Sequence, residues 1–255
     1  MNAVSYQLRL VLTAIQYFTR LPVPRWVGYS ERQLNDASRY FPLVGILVGL
    51  FTGAVFVLAL RVFPQPVAVL LAMLSGIVLT GGFHEDGLAD TCDGFGGGQD
   101  RPQILAIMKD SRVGSYGVLG LVFALLLKFS ALAMLPAAQF VAISVAAHAF
   151  SRFMAVSLIH TQRYVRDDAS ARARPAAQSL SHPAFACAAS FALVPLVWLG
   201  TSGGVAAAGV ALALRIVVAQ YFYRRIGGYT GDCLGAAQQI TEVGFYLGLL
   251  AWIST

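Results

Sequence analysis

The sequence predicts an all-α fold, a polytopic bundle of transmembrane helices, from three observations. Of 255 residues, 57% are hydrophobic and only 12% are charged, whereas a soluble domain usually carries about 25% charged residues. The apolar segments recur along the whole chain without a long linker between them. Most of these segments approach the roughly 20 residues that a helix needs to cross a bilayer. We therefore expect residues 1–255 to form one integral-membrane domain.

About seven spans are predicted, within a range of six to eight. They cover residues 41–60, 67–82, 113–135, 138–160, 183–199, 205–223 and 235–252. Residues 175–214 contain no Asp, Glu, Lys or Arg. At about 1.5 Å per residue this run is twice as long as the hydrocarbon core is thick, so the chain must fold back near Gly200. The last span is weaker, because Gln238, Gln239 and Glu242 lie in its first half.

The N-terminal segment does not resemble a cleaved signal peptide. Arginines interrupt its apolar stretch and no small-residue cleavage site follows. Residues 8–19 are instead predicted to form an interfacial amphipathic helix or a short buried one. The three cysteines, Cys92, Cys187 and Cys233, indicate no disulfide framework and are expected to be reduced thiols.

The charged residues predict which way the bundle faces. Threading seven spans places the N-terminus and the segments 83–112, 161–182 and 224–234 on one side, which receives almost all of the charges, while the opposite loops keep only Arg61. Positively charged loops stay cytoplasmic, so we expect the N-terminus inside and the C-terminus outside. The net charge of +6 fits this arrangement. No basic stripe interleaved with aromatic residues is present, so we expect no nucleic-acid partner.

A densely acidic segment follows the second predicted span. Asp86, Asp90 and Asp93 stand at i, i+4 and i+7, so on a helix they share one face, where like charges repel. Hard cations such as Mg²⁺ and Mn²⁺ prefer such oxygen ligands, and Glu85 and Asp110 could add further oxygens. The alternative is a solvated acidic loop with flexible glycines. A calcium EF-hand is excluded, because its alternating ligand pattern and terminal Glu are absent.

A basic segment at the start of the third predicted span complements the acidic one. Lys109, Ser111 and Arg112 are candidates for binding phosphate oxygens, and the neighbouring glycines would let backbone amides approach an anion. The alternative is an ordinary interfacial Lys/Arg anchor. Arg152 lies within a span, near its cytoplasmic end, and could also reach a phosphate. Acidic residues for a metal and basic residues for phosphate are what phosphoryl transfer requires.

The sequence also contains a faint internal echo. Gly81-Gly82-Phe83-x-x-Asp86 resembles Gly227-Gly228-Tyr229-x-x-Asp232, and both segments lie at the predicted cytoplasmic end. We hypothesise that they converge on one site, as in internally repeated membrane folds. Asp232 would then join the metal ligands. Chance in a glycine-rich chain is the alternative explanation.

Over nearly its whole length the sequence resembles the cobalamin synthase family, the adenosylcobinamide-GDP ribazoletransferases. The resemblance rests on five motifs, Phe18-Thr19-Arg20-Leu21-Pro22-Val23-Pro24, Phe41-Pro42-Leu43-Val44-Gly45, the segment 80–94, the segment 108–117 and Gly228-Tyr229-Thr230-Gly231-Asp232. It implies a Mg²⁺-dependent enzyme of a bacterial cytoplasmic (inner) membrane, which joins adenosylcobinamide-GDP to α-ribazole, or its 5′-phosphate, and releases GMP. The products would be adenosylcobalamin or its 5′-phosphate.

In this chemistry the acidic residues would hold Mg²⁺ against the diphosphate. Asp93 and Asp110 are the candidates for catalytic roles, with Asp110 either completing the metal shell or accepting the hydroxyl proton. Two other functions stay open. One is a membrane phosphotransferase of the CDP-alcohol type that acts on a lipid acceptor, and the other is a divalent-cation transporter. Membrane lipid is an expected partner, and the sequence leaves a homo-oligomer open.

Overall fold

The structure is a computed structural model that describes residues 3–165 and 180–255. Within these ranges the regular structure is helical. The α-helices are α1 (Ala3–Phe18), α2 (Glu31–Ala37), α3 (Phe41–Ala59), α4 (Gln65–Thr80), α5 (Phe83–Gly97), α6 (Arg101–Met108), α7 (Ser115–Met134), α8 (Phe140–Thr161), α9 (His182–Leu193), α10 (Thr201–Ile226) and α11 (Gly231–Ile253). A 3-10 segment, Val194–Leu199, extends α9.

The predicted all-α membrane bundle is confirmed, and helical structure lies in each predicted span, although the bounds differ. Among the described residues, five helical segments are long and apolar enough to cross a membrane: α2 with α3, α7, α8 with the turn before it, α9 with its 3-10 extension, and α10. Helix α4 reaches this length only together with α5, across a bend of 88°. Helix α11 has 23 residues but carries the polar positions 238, 239 and 242. The number of seven and the orientation stay predictions.

Helix α8 forms the centre of the bundle. In its most apolar stretch 94% of the residues are buried, against 22% in α7, which faces outward. Helix α3 packs closely along α8 because glycines remove the side chains between them. A Cβ built on Gly45 would lie 2.3 Å from the backbone oxygen of His148, and one on Gly49 would lie 2.5 Å from the Cα of Val145. Such small-residue contacts let membrane helices approach at backbone distance.

Two glycine hinges shape the end of the bundle that carries the acidic residues, here called the acidic end. Gly81 and Gly82 have φ values of +72° and +71°, and Gly227 has +82°. These left-handed conformations favour glycine and end α4 and α10. The first hinge turns α5 across the acidic end instead of letting it continue α4. The second leads through a short turn into α11.

Helix α1, Ala3–Phe18, overlaps the helix predicted over residues 8–19 and lines part of the acidic end. Leu10, Ala14 and Phe18 on one face are buried, whereas Val4 and Leu8 are exposed. The helix stops at Phe18, and the segment that follows runs without helical structure to Pro24. This segment approaches the α4–α5 hinge.

Candidate active site

The acidic site is built where α5 crosses the start of α11. The two helices meet at Gly87 and Gly235. A Cβ on Gly87 would lie 2.9 Å from the backbone oxygen of Asp232, and one on Gly235 would lie 3.3 Å from the Cα of Gly87. Backbones this close bring Asp232 beside the carboxylates of α5. The two echo segments therefore lie side by side, while metal binding by Asp232 stays a prediction.

Asp86, Asp90 and Asp232, here called the acidic group, repel one another. Burial, followed by the negative charges of Asp232, Asp86 and Asp93, raises the pKa of Asp90 to about 7. Burial and the charge of Asp86 raise the pKa of Asp232, which precedes the predicted last span, to about 6. Among the described residues, none forms an ion pair with a member of this group. Within residues 3–165 and 180–255, no ion pair therefore offsets the negative charge of this group.

This donor set fits a hard divalent cation, because all of its ligand atoms are carboxylate oxygens. In residues 3–165 and 180–255 no three His, Cys, Asp or Glu side chains are grouped at metal-binding distances. The carboxylates would therefore have to draw together to bind an ion. Metal binding, including that of Glu85 and Asp93, stays a prediction.

Asp93 connects α5 to the start of α7. Its Oδ2 accepts a hydrogen bond from the backbone N–H of Gly114 at 2.7 Å, and its Oδ1 accepts one from Gly117 at 2.8 Å. The carboxylate is buried, and a Cβ on either glycine would collide with it. It thus satisfies amides that a helix start leaves without intrahelical partners. The structure gives Asp93 a positioning contact, whereas its predicted catalytic and metal-binding roles stay untested.

Asp110 and Arg112, predicted to act on metal and phosphate separately, bind each other. The Nη2 of Arg112 lies 2.6 Å from Oδ2 of Asp110, and its Nε donates to both carboxylate oxygens. These hydrogen bonds hold the pKa of Asp110 at about 2. A carboxylate with so low a pKa is a weak proton acceptor at neutral pH, which argues against Asp110 as the general base. Lys109 and Ser111 are exposed on the same loop.

Arg152 lies inside the bundle, where it lines a small cavity together with Phe83 and Gly231. Its guanidinium is almost fully buried and donates to the backbone oxygen of His148 at 3.0 Å. It shares a small interior cavity with Glu85, whose Oε1 accepts from Gln239 at 2.9 Å. The side chain of this α8 residue packs among neighbouring helices, and phosphate binding by Arg152 stays a prediction. Glu85 also turns one oxygen inward, away from the acidic group.

The same interior region holds a buried ionic cluster, consisting of Lys128, His148 and Glu242. The Nζ of Lys128 lies 2.5 Å from Oε1 of Glu242, and Nδ1 of His148 lies 3.3 Å from Oε2. Gln238 and Tyr246 donate further hydrogen bonds to the Glu242 carboxylate, at 2.6 and 3.2 Å. These residues lie on three separate helices, so sequence spacing does not predict that they meet. The sequence shows only that ionisable residues lie within predicted spans, where they usually face the bundle interior.

An open cavity of about 1000 Å³ adjoins the acidic group and is here called the mouth cavity. Its lining includes Gln16, Tyr17, Arg20, Glu85, Asp86 and Leu121. The contributions of Tyr17 and Arg20 were missed by the sequence reasoning. They come from the end of α1 and from the first resemblance motif, to which no role was assigned.

Comparisons with known proteins agree with the motifs. A family model described as cobalamin-5-phosphate synthase matches residues 10–250. The chain is similar to a Shewanella frigidimarina (strain NCIMB 400) protein named adenosylcobinamide-GDP ribazoletransferase, with 50% identity over 96% of this chain and 95% of the relative. A Ralstonia pickettii (strain 12J) protein of the same name is 49% identical over 100% of both chains. No solved structure matches.

Proposed function

Because the chain belongs to the cobalamin-5-phosphate synthase family, we propose that it joins adenosylcobinamide-GDP to α-ribazole, or to α-ribazole 5′-phosphate, and releases GMP. The family and the apolar helices make it a multi-pass membrane transferase of cobalamin biosynthesis. The particular substrates and the metal dependence belong to the proposal. Both substrates are small molecules, which suits the mouth cavity.

The proposed reaction is a phosphoryl transfer. The 3′-hydroxyl oxygen of the ribazole forms a bond to the phosphorus that carries the cobinamide aminopropanol arm. The bond between that phosphorus and the oxygen bridging to GMP breaks, and GMP leaves with the bond's electron pair. The hydroxyl proton passes to a base or to solvent. Catalysis of such a transfer depends mainly on positioning and on neutralising charge.

The acidic group is the part of the chain best suited to hold Mg²⁺. Asp86 and Asp90 come from α5 and Asp232 comes from α11, so a bound ion would be held between two helices. When bound, Mg²⁺ would neutralise charge on the diphosphate. Asp93 contributes by fixing α5 against the N-terminus of α7. The observation that carries the proposal is the glycine crossing at Gly87 and Gly235, which joins carboxylates from distant parts of the sequence beside the mouth cavity.

The test is GMP release by purified protein in lipid. Adenosylcobinamide-GDP and α-ribazole are supplied with and without Mg²⁺, and wild type is compared with Asp90→Ala. Glu31→Ala, which removes an exposed acidic residue of α2, serves as the matched control. We expect Mg²⁺-dependent GMP and corrinoid product from wild type and Glu31→Ala, and at least a 100-fold loss in Asp90→Ala. Folded wild type that forms no product would refute the substrate assignment and direct the search to lipid acceptors.

We also propose that the acidic end faces the cytoplasm in a bacterial inner membrane. The support is the distribution of charges, because the acidic end carries almost all charged loops and positively charged loops stay cytoplasmic. Labelling of single cysteines placed at position 99, near the acidic end, and at position 62, in the opposite loop, tests this in intact cells. A membrane-impermeant thiol reagent should reach position 62 first. The opposite order would overturn the orientation.

A further inference from the structure

The segment after α1 is held against the α4–α5 hinge. The backbone N–H of Arg20 donates to the backbone oxygen of Leu79 at 2.8 Å. The Arg20 side chain then passes over Gly81, where an added Cβ would lie 2.7 Å from Nε of Arg20. The left-handed hinge glycine therefore has two functions, since it ends α4 and leaves space for the guanidinium. The side chain is placed by contacts to a rigid helix end.

Arg20 is the only basic residue that lines the mouth cavity in the described part of the chain. It shares that lining with Asp86 and Glu85, yet its guanidinium forms no ion pair among residues 3–165 and 180–255. Of the basic residues expected at the phosphate, Arg112 binds Asp110, Arg152 is buried inside the bundle, and Lys109 is exposed on the loop before α7 without lining the mouth cavity. Among the described residues, Arg20 is therefore the cation that shares the mouth cavity with Asp86.

We propose that Arg20 binds the diphosphate of the nucleotide-activated substrate. This inference rests on the proposed function and assigns a substrate-binding residue to it. A guanidinium presents paired N–H donors that match two phosphate oxygens, whereas an ammonium offers a single point of charge. Arg20 and Asp86, the member of the acidic group that lines the cavity, border the same space without an ion pair between them, so a diphosphate between them would contact the guanidinium on one side. The carboxylates and their cation would hold its other side.

The experiment compares wild type, Arg20→Gln, Arg20→Lys and the control Arg25→Gln in lipid. Arg25 is an exposed arginine five residues further along that does not line the cavity. Binding of adenosylcobinamide-GDP and of GDP is measured by calorimetry with Mg²⁺ present and no acceptor, and steady-state kinetics give KM for each substrate. Losing hydrogen bonds to a charged group should weaken nucleotide binding in Arg20→Gln by about 10- to 100-fold. Arg20→Lys should lie between, and Arg25→Gln should match wild type.

The KM for α-ribazole and the Mg²⁺ concentration for half-maximal activity should stay within about two-fold of wild type, since Arg20 is proposed to contact only the diphosphate. Unchanged nucleotide binding in Arg20→Gln would overturn the proposal. So would a lower thermal midpoint with equal losses for every ligand, because this indicates a structural role alone. If wild type binds GDP but never releases GMP from the corrinoid substrate, the proposed function fails, and a selective loss of GDP binding in Arg20→Gln still supports Arg20.

Discussion

Removing the positive charge of Lys128 should destabilise the bundle strongly, because the buried Glu242 carboxylate then loses the cation closest to it. Glu242 is fully buried and Lys128 is 7% exposed. The Nζ of Lys128 lies 2.5 Å from the carboxylate. Breaking a buried pair by removing one partner costs about 3–5 kcal/mol. We therefore expect Lys128→Met to lower the free energy of unfolding by that amount.

The assay is thermal unfolding of purified protein in detergent, followed by the loss of the folded monodisperse fraction. For a chain of this size about 1 kcal/mol shifts the midpoint by roughly 2–4 °C, so Lys128→Met should lower it by roughly 6–20 °C. The double variant Lys128→Met with Glu242→Gln removes both charges, and Gln238 and Tyr246 can still bond to the amide. It should recover most of the loss, since replacing both partners of a buried pair is often nearly neutral.

Two results would refute this reasoning. If Lys128→Met unfolds within 2 °C of wild type, the ionic cluster is solvated in the protein and its burial has no energetic consequence. If the double variant is as unstable as the single one, the loss comes from packing of the Lys128 side chain and not from the unpaired Glu242. A matched variant, Arg61→Met, removes an exposed basic residue from a loop and should leave the midpoint unchanged.

Three further predictions concern the acidic end. Asp232→Ala should abolish Mg²⁺-dependent turnover, and unchanged metal dependence and turnover would exclude Asp232 from the site. Asp90 has a pKa of about 7 and must be ionised to bind a cation, so the apparent Mg²⁺ affinity should fall as pH decreases from 8 to 6. An Mg²⁺ affinity that stays the same over this range would contradict the raised pKa. Asp110→Asn should leave the pH–rate profile between pH 5 and 9 unshifted, because the lowered pKa of about 2 keeps Asp110 ionised until far more acidic pH; a displaced acid limb would show that Asp110 titrates during catalysis.

The fold was predictable because the bilayer imposes a simple rule on the sequence. Within a bilayer the backbone N–H and C=O groups must be hydrogen-bonded inside the chain, which long apolar segments achieve as helices. Helical structure accordingly lies in each predicted span. The exact ends were less predictable, as α4 shows. The sequence suggests a second span of 67–82, but the structure uses Gly81 and Gly82 to turn the chain by 88° into α5. Hydropathy alone does not specify such a turn, because a glycine pair is compatible with a straight helix end or a bend.

The candidate site was predictable where its residues lie on one helix and less so where it depends on tertiary packing. The spacing of Asp86, Asp90 and Asp93 gave their shared helix face from sequence alone. The Asp93 carboxylate accepts hydrogen bonds from the backbone amides of Gly114 and Gly117, and these bonds depend on where α7 begins in space. The depth of Arg152 depends on which face of α8 meets its neighbours. Local sequence carries neither piece of information.

The two hinges explain how an acidic site can persist at the end of a membrane bundle. Each hinge glycine ends one helix and starts the next close by, so Asp86 and Asp232 both fall in the first turn of a new helix. The N-terminal end of a helix carries partial positive charge that stabilises nearby carboxylates by about 0.3–1 kcal/mol each. Burial, followed by the negative charge of Asp86, nevertheless raises the pKa of Asp232 to about 6. The helix starts therefore make the cluster tolerable without neutralising it, and the remaining negative charge is what would attract a cation and, through it, a diphosphate.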